Sequence, residues 1–284
     1  MNVGIIANPG KSGAKPTLQH LQSALEGRDI GCLYSHESAD ILGLQSGMKL
    51  ADLAVEADII AVLGGDGTML HAMSQLGGCE KPMAGINIGT LGFLTSCTDG
   101  EIDPFVEAIK TNTYKLSKRT LLSATVLRES GEQEHFLALN EVVLARGQTG
   151  RLVALSASID GELLNHYRAD GLIVATPTGS TAYSLSASGP LISPQAGVFV
   201  ITPICPHTLS QRSLVVDDHV CIELSPDDTS DDSMLFTVDG RDGAEIGLTD
   251  RIQIKRAETH LNLLRLEGRS FYLALRQKLN WWGG

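Results

Sequence analysis

Four short apolar runs, each closed by turn residues, punctuate the first ninety positions of the chain. VGIIA (residues 3–7) stops at Asn8-Pro9-Gly10, and IGCLY (30–34), DIIAVL (58–63) and MAGINIG (83–89) follow. Each is short enough for a strand, and DIIAVL has the unbroken apolar character of a strand buried on both faces. Between the first two, LQHLQSALEG (18–27) carries apolar residues at helical spacing and ends at a glycine, a common helix stop. Strands separated by helices predict a parallel sheet flanked by helices.

The pattern changes near residue 100. A last helix is expected over 102–110, after which strand-like runs dominate: LLSATVLRE, FLALNEVVLAR, LVALSASID, GLIVATP, VFVITPI, HVCIEL, SMLFTVDG and RIQIKRA. Many alternate apolar and polar positions between turn residues, as antiparallel strands do. SFYLALRQKLNWW then returns to helical spacing. The expected organisation is an α/β domain over 1–99 and a β-rich, sandwich-like domain over 100–268. A C-terminal helix over 269–284 is expected to pack back on the first domain. The fold class is thus α/β plus all-β. The acidic stretch SPDDTSDDS (225–233) reads as a solvated hairpin loop, because nothing in it enforces ligand geometry.

Composition narrows the function. The chain has 284 residues, 43% hydrophobic and 19% charged, with a formal net charge of −11. That charge argues against a general nucleic-acid binder, which needs a basic surface, but leaves room for small anions held by local cations and backbone N–H groups. The five cysteines include no C-x-x-C pair, so metal and redox-motif readings fail and buried thiols in a reducing compartment are expected. The N-terminus reads as a strand that begins at once, not a signal peptide. No apolar run approaches the ~20 residues a membrane helix needs. The expected location is cytoplasmic, with no membrane or nucleic-acid partner.

Three stretches carry candidate chemistry, and one is a decoy. GIIANPGKSG (4–13) offers Gly-Lys-Ser after a strand, but five residues separate Gly4 from Gly10 where a P-loop needs four. Asn8 and Lys11 remain only as residues of a loop that a phosphate can approach. GINIGTLG lacks the dinucleotide-fold spacing G-x-G-x-x-G. The first real candidate is GGDGTML. Ligands of a parallel sheet gather beyond the carboxyl ends of its strands, and Asp66 lies just past such an end. Gly64, Gly65 and Gly67 permit positive φ and close approach of a bulky anion, and Thr68 opens a helix whose N-terminal N–H groups favour phosphate. A lone carboxylate repels phosphate, so Asp66 suits a general base for a hydroxyl or an indirect metal ligand. It also suits a helix N-cap, and the residues alone leave both open. In the second stretch, Asn140-Glu141 interrupts an apolar run, and adjacent strand residues face opposite ways, so one polar side chain points inward. In the third, a strand over 172–175 runs into Thr176-Pro177-Thr178-Gly179-Ser180-Thr181 and then AYSLSA. Such a run of hydroxyls and N–H groups suits ribose, adenine or phosphate, or local capping bonds.

Together, GGDGTML, NIGTLGFL, NEVVL and DGLIVATPTGSTAYSLSASGP stand in the order and rough spacing of the NAD kinase family, which the chain resembles over most of its length. The first element is shared with lipid kinases and phosphofructokinases; the last is highly specific. The resemblance implies an N-terminal α/β nucleotide-kinase domain and a β-rich NAD-binding domain. It implies ATP as phosphate donor, a divalent cation (Mg2+ or Mn2+) without an assigned protein ligand, and phosphorylation of the adenosine ribose 2′-hydroxyl of NAD to give NADP. Asp66 would take the hydroxyl proton beside the phosphate-donor loop of Gly64, Gly65, Gly67 and Thr68. By similarity, Asn140 and Glu141 hold the adenosine part. Thr181, Ala182, Tyr183, Ser184, Leu185 and Ser186 line the dinucleotide pocket, and Asp170 contacts its nicotinamide half. Phe93 packs on an adenine. Arg168 matches a position associated with preference for NAD over NADH, and Arg151 is a diphosphate or subunit-interface cation. His71, further along the helix from Asp66, is either near the ligand or solvated. Family members are homo-oligomers, which implies a dimer or tetramer. Two departures stand out: Ser188-Gly189-Pro190 where Gly-Gly-Pro is common, and Asp239-Gly240-Arg241 where many relatives have Asp-Gly-Gln. Competing readings are a non-catalytic dinucleotide-sensing module and a lipid kinase of the Gly-Gly-Asp-Gly type.

Overall fold

A computed structural model describes residues 1–147, 151–227 and 233–281. The chain divides into two compact units, one formed by Met1–Lys118 with His260–Gly284, the other by Arg119–Thr259. The strand Arg251–Arg265 therefore begins in the second unit and ends in the first.

The first unit is built on parallel strands in the order Gly31–Tyr34, Asn2–Ala7, Ile59–Leu63, Met83–Asn87 and the end of Arg251–Arg265. A short strand, Thr95–Thr98, pairs parallel to Met83–Asn87. Every residue of Ile59–Leu63 and Met83–Asn87 is buried, as their apolar runs require when helices cover both faces. Helix Ala14–Glu26 adds Leu18, Leu21 and Leu25 to the core, and helix Ile102–Thr111 adds Ile102, Phe105, Val106 and Ile109. The second set has the 3–4–7 spacing of one helical face. A capping box precedes it: the Glu101 carboxylate accepts the Thr98 backbone N–H at 3.0 Å. Two helices that the apolar pattern does not announce, His36–Leu42 and Leu50–Glu56, complete the unit. The C-terminal helix Phe271–Lys278 is capped by the Ser270 hydroxyl, and its Phe271 ring lies 6.1 Å from that of Phe93. Residues 282–284 of the expected helix lie outside the described residues, as do 228–232 of the acidic stretch.

The second unit is β-rich. Six antiparallel strands stand in the order Leu214–Asp217, Val198–Ile204, Gly171–Ala175, Glu141–Arg146, Met234–Val238 and Arg241–Ile246. A further set orders Glu162–Ala169, Val153–Ile159, Ile222–Pro226 and the start of Arg251–Arg265. Val142, Leu172, Phe199 and Phe236 of the first set share a core with Leu155, Leu224 and Ile254 of the second, which makes a sandwich. Gly171–Ala175 is apolar throughout because it is buried on both sides. Leu172 and Val174 enter the sandwich core; Ile173 and Ala175 pack on the other face with Val143, Val200 and Ile192. Among the described residues no helix is long and apolar enough to cross a membrane.

Candidate active site

In the first unit, the strand Ile59–Leu63 ends at Gly64, whose φ of 154° and close packing exclude a side chain. A Cβ there would lie 2.2 Å from Thr68 Oγ1. Gly65 is the N-cap of helix Asp66–Gln75 and Asp66 its first residue, so Asp66 is not the cap. Its half-buried carboxylate turns away from its own helix. Oδ2 accepts the Phe93 N–H and Oδ1 the Leu94 N–H, both at 2.9 Å. Gly92 makes this approach possible, since a Cβ at that position would stand 2.2 Å from Asp66 Oδ1. The loop is tied from within as well: Gly92 N–H donates to Thr95 Oγ1 at 2.7 Å, and the Asn87 side-chain amide donates to the Thr90 carbonyl.

Under the same loop lies Arg265, 6% exposed. Its Nη2 donates to the Phe93 carbonyl at 2.5 Å and its Nη1 to the Thr95 carbonyl at 3.1 Å. Burial pulls this guanidinium down to about 10, and the Asp66 carboxylate pulls it back up. Asn8 Nδ2 reaches Thr68 Oγ1 at 3.4 Å, so the loop after the first strand does border the Gly-Gly-Asp-Gly turn. Lys11 and His71 are exposed.

In the second unit a different aspartate organises the site. Asp239, 8% exposed with φ 49°, accepts three backbone N–H groups: Leu139 at 2.9 Å, Asn140 at 2.7 Å and Glu141 at 3.1 Å. Burial pushes its carboxyl up, while those three bonds and the Arg241 charge pull it back. Asn140 is buried, and its carbonyl accepts the Thr176 N–H at 2.8 Å. Glu141 is 5% exposed, and among the described residues its Oε2 has no hydrogen-bond partner. Burial first, and then the Asp239 charge, push its carboxyl up to about 8, against the pull of the Tyr183 backbone hydrogen bond. Gly179 sits so close that a Cβ would lie 2.1 Å from the Asn140 carbonyl oxygen. The Asn140-Glu141 step and the Thr-Pro-Thr-Gly-Ser-Thr turn are thus packed backbone to backbone.

Beyond that turn the chain makes a short helix, Tyr183–Ser186. Tyr183 and Ser186 are exposed and line a groove of about 450 Å3 with Ser188, Pro203, Cys205 and Arg212. Thr181 and Ala182 are half-buried; the Thr181 hydroxyl donates to the Thr178 carbonyl at 3.1 Å. Leu185 is also half-buried. Ser184 points inward, fully buried, with its hydroxyl 3.1 Å from that of Thr202. Asp170 donates its N–H to Ile204, a neighbour of Cys205, and its carboxylate pairs with Arg146 at 3.3 Å. Arg168 and Arg151 are exposed. Ser188 adopts φ 67°, the left-handed conformation glycine favours, which is what the departure from Gly-Gly-Pro means in backbone terms.

Three contributors were not assigned from sequence: Gly92, Asp239 and Arg265. Arg265 had a signal, a single cation inside the apolar run LNLLRL. Asp239 had only the Asp-Gly-Arg step that stands where many relatives have Asp-Gly-Gln. Among the described residues, Asp217, Asp218 and His219 also gather at metal-ligand distances, but Asp218 already pairs with Arg256 at 3.2 Å.

Comparison with known proteins places the chain in one family. The family model for the ATP-NAD kinase N-terminal domain matches residues 49–114, and that for the ATP-NAD kinase C-terminal domain matches 139–266. The NAD kinase of Chlorobium luteolum is 40% identical over 281 residues, which is 99% of this chain and 97% of that protein. The NAD kinase of Geotalea daltonii is 42% identical over 233 residues, 82% of each. Among solved structures, a yeast NADH kinase complexed with NADH superposes with a TM-score of 0.92 at 25% identity, over 100% of this chain and 89% of that one. An NAD kinase from Archaeoglobus fulgidus in complex with ATP shares the fold, with a TM-score of 0.78 at 22% identity and full coverage of both chains.

Proposed function

Because this chain belongs to the ATP-NAD kinase family, we propose that Asp66 is the general base of an ATP-dependent phosphoryl transfer to NAD. The reaction moves the γ-phosphoryl group of ATP to the 2′-hydroxyl of the adenosine ribose and yields NADP. The new bond joins O2′ to the γ-phosphorus, the bond from that phosphorus to the β,γ-bridging oxygen breaks, and ADP leaves. The hydroxyl proton goes to the Asp66 carboxylate. The observation that carries this reading is the orientation of Asp66: it begins a helix at the end of a buried strand, yet its carboxylate is held by the Phe93 and Leu94 amides instead of capping that helix.

The remaining roles follow the same reading. Gly64, Gly65, Gly67 and Thr68 take the donor phosphates, where a strand end meets a helix N-terminus. Asn140 and Glu141 hold the adenosine, and Thr181 to Ser186 form the dinucleotide surface. Tyr183 and Ser186 offer side chains to it, and Ser184 supports it from beneath. Asp170 contacts the nicotinamide half, Arg168 favours NAD over NADH, and Arg151 is a diphosphate or interface cation. Phe93 presents a ring braced by Phe271. A divalent cation, Mg2+ or Mn2+, supplies charge neutralisation on the phosphates. Both Asp66 oxygens already accept amides, which fits holding that cation through water. The family relation also supports a homo-oligomer, dimer or tetramer, working in the cytoplasm.

The test is NADP formation by purified protein given NAD, ATP and Mg2+, beside Asp66→Asn. The variant is expected to lose about 10²–10⁴-fold in kcat while still binding NAD in calorimetry. Wild type that binds NAD but forms no NADP, from ATP or from polyphosphate, would make the chain a dinucleotide-sensing module instead.

A further inference from the structure

The loop that holds Asp66 has two polar faces, and only one of them is explained by Asp66. The N–H groups of Phe93 and Leu94 point to the carboxylate, while the carbonyls of Phe93 and Thr95 point to Arg265. One peptide group does both. The Phe93 carbonyl accepts from Arg265 Nη2, and the N–H of the same peptide unit, carried by Leu94, donates to Asp66 Oδ1. In a planar trans peptide the C=O and N–H point in opposite directions. This unit is therefore a single dipole laid between a buried cation and the carboxylate, each polarising it in the same sense.

We propose that Arg265 is a positioning residue for the phosphoryl transfer, fixing and polarising the Gly92–Thr95 loop so that its amides hold the Asp66 carboxylate in working orientation. The proposal rests on the reading of Asp66 as the base and goes one residue further.

Packing alone does not account for Arg265. It is 6% exposed, next in sequence to Leu264 at 0%, and its hydrogen bonds among the described residues go to carbonyls, not to a carboxylate. Burying a guanidinium this way is costly, and an apolar side chain of similar volume commonly does as well or better for stability. What an apolar residue cannot do is hold two carbonyls of one loop at fixed spacing. The fork of Arg265 does so from a strand end that is itself fixed: Leu263 pairs with Met83, and the Leu264 carbonyl accepts the Ser96 hydroxyl at 2.5 Å. The position of the carboxylate is thus set from three sides, by the amides, by the absence of a Cβ on Gly92, and by the cation behind the loop.

A double-mutant cycle on the full-length chain tests this. Wild type, Arg265→Met, Asp66→Asn and the double variant are assayed with NAD, ATP and Mg2+ for kcat and KM, with thermal melting and NAD calorimetry alongside. Arg265→Met is expected to lower kcat about 10²-fold, the effect of misplacing a reacting group, with KM for NAD nearly unchanged. In the Asp66→Asn background the same change is expected to cost no more than about twofold, because residues that act as a unit are non-additive. A merely structural arginine would give losses that multiply, and that result overturns the proposal, as does an Arg265→Met enzyme with wild-type kcat. If Arg265→Met does not fold, Arg265→Lys takes its place in the cycle. It keeps the charge, loses the fork, and is held to the same non-additivity. If Asp66→Asn is fully active, the base assignment falls and the positioning role falls with it. An inactive Asp66→Asn beside a fully active Arg265→Met removes the positioning role alone.

Discussion

Two aspartates in this protein are held by backbone amides in much the same way and stand in opposite surroundings. Asp66 accepts two, from Phe93 and Leu94; Asp239 accepts three, from Leu139, Asn140 and Glu141. Asp66 stays half-buried at a strand end, beside glycines that keep space open. Asp239 is sealed at 8% exposure and spends its acceptor capacity on the backbone of the Asn140-Glu141 step. Amide clamping therefore does not mark a working carboxylate. The distinguishing features are residual access and a buried cation bonded to the carbonyls of the clamping loop, which Arg265 provides behind Asp66; the charge near Asp239, Arg241, acts on that carboxylate itself.

The comparison breaks first at Asp66. Its replacement by asparagine removes about 3–5 kcal/mol of transition-state stabilisation if the rate falls as expected, with a stability loss no larger than about 1–3 kcal/mol for the one amide that the asparagine nitrogen cannot accept. Asp239→Ala should do the reverse. It strands three buried N–H groups, each worth about 1–3 kcal/mol when left unpaired, so unfolding in urea is expected to show a loss of about 3 kcal/mol or more. NAD affinity should fall with it, because Asn140 and Glu141 lose their template. A stable Asp239→Ala protein with normal NAD affinity would erase the distinction between the two aspartates.

Glu141 sharpens the contrast through pH. Its carboxyl rises from the ordinary 4.5 to about 8 in the folded protein, chiefly by burial. Between those values the native state keeps a proton that the unfolded chain has lost. This contribution to stability is thus complete below about pH 4.5 and drains away as pH rises through about 8. Glu141→Gln mimics the neutral form, so its stability should fall less steeply over that window. The gap between variant and wild type should widen toward pH 8 by an amount on the order of a few kcal/mol. Denaturant unfolding at pH 5, 6.5 and 8 measures it, and parallel curves would refute the burial account.

The smallest effect belongs to Ser188. A non-glycine residue at φ 67° is strained, so Ser188→Gly should raise stability by about 0.5–1 kcal/mol in the same assay. No gain, or a loss, would mean that the serine side chain offsets its backbone strain.

Much of the fold was legible in the sequence because its strands are bounded apolar runs. Gly171–Ala175 and Ile59–Leu63 are apolar at nearly every position because both their faces are covered. His36–Leu42 and Leu50–Glu56 escaped notice because they bury so little: Ser38 and Ala39 in one, Leu53 in the other. The Gly-Gly-Asp-Gly turn was readable as a site, but that Asp66 does not cap its helix became visible only with the Gly65 cap and the Phe93 and Leu94 amides. Local pattern marks Arg265 as a lone cation in an apolar run and Asp239 as part of an Asp-Gly turn, but names no partner for either. Asp239 meets Leu139 across 100 positions, and Arg265 meets Phe93 across 172. No periodicity of 2 or 3.6 reports a bond of that span.

The split of the first unit into Met1–Lys118 and His260–Gly284 also has a consequence during synthesis. Asp66 and the loop that clamps it leave the ribosome well before the cation behind that loop, which is encoded 172 positions after Phe93. At roughly 5–20 residues per second, Arg265 follows Leu94 by about 10–35 s. A nascent chain therefore carries its whole Gly-Gly-Asp-Gly turn for that interval without Arg265, and a transcript cut short before codon 265 yields a polypeptide with the motif but without the cation behind its loop.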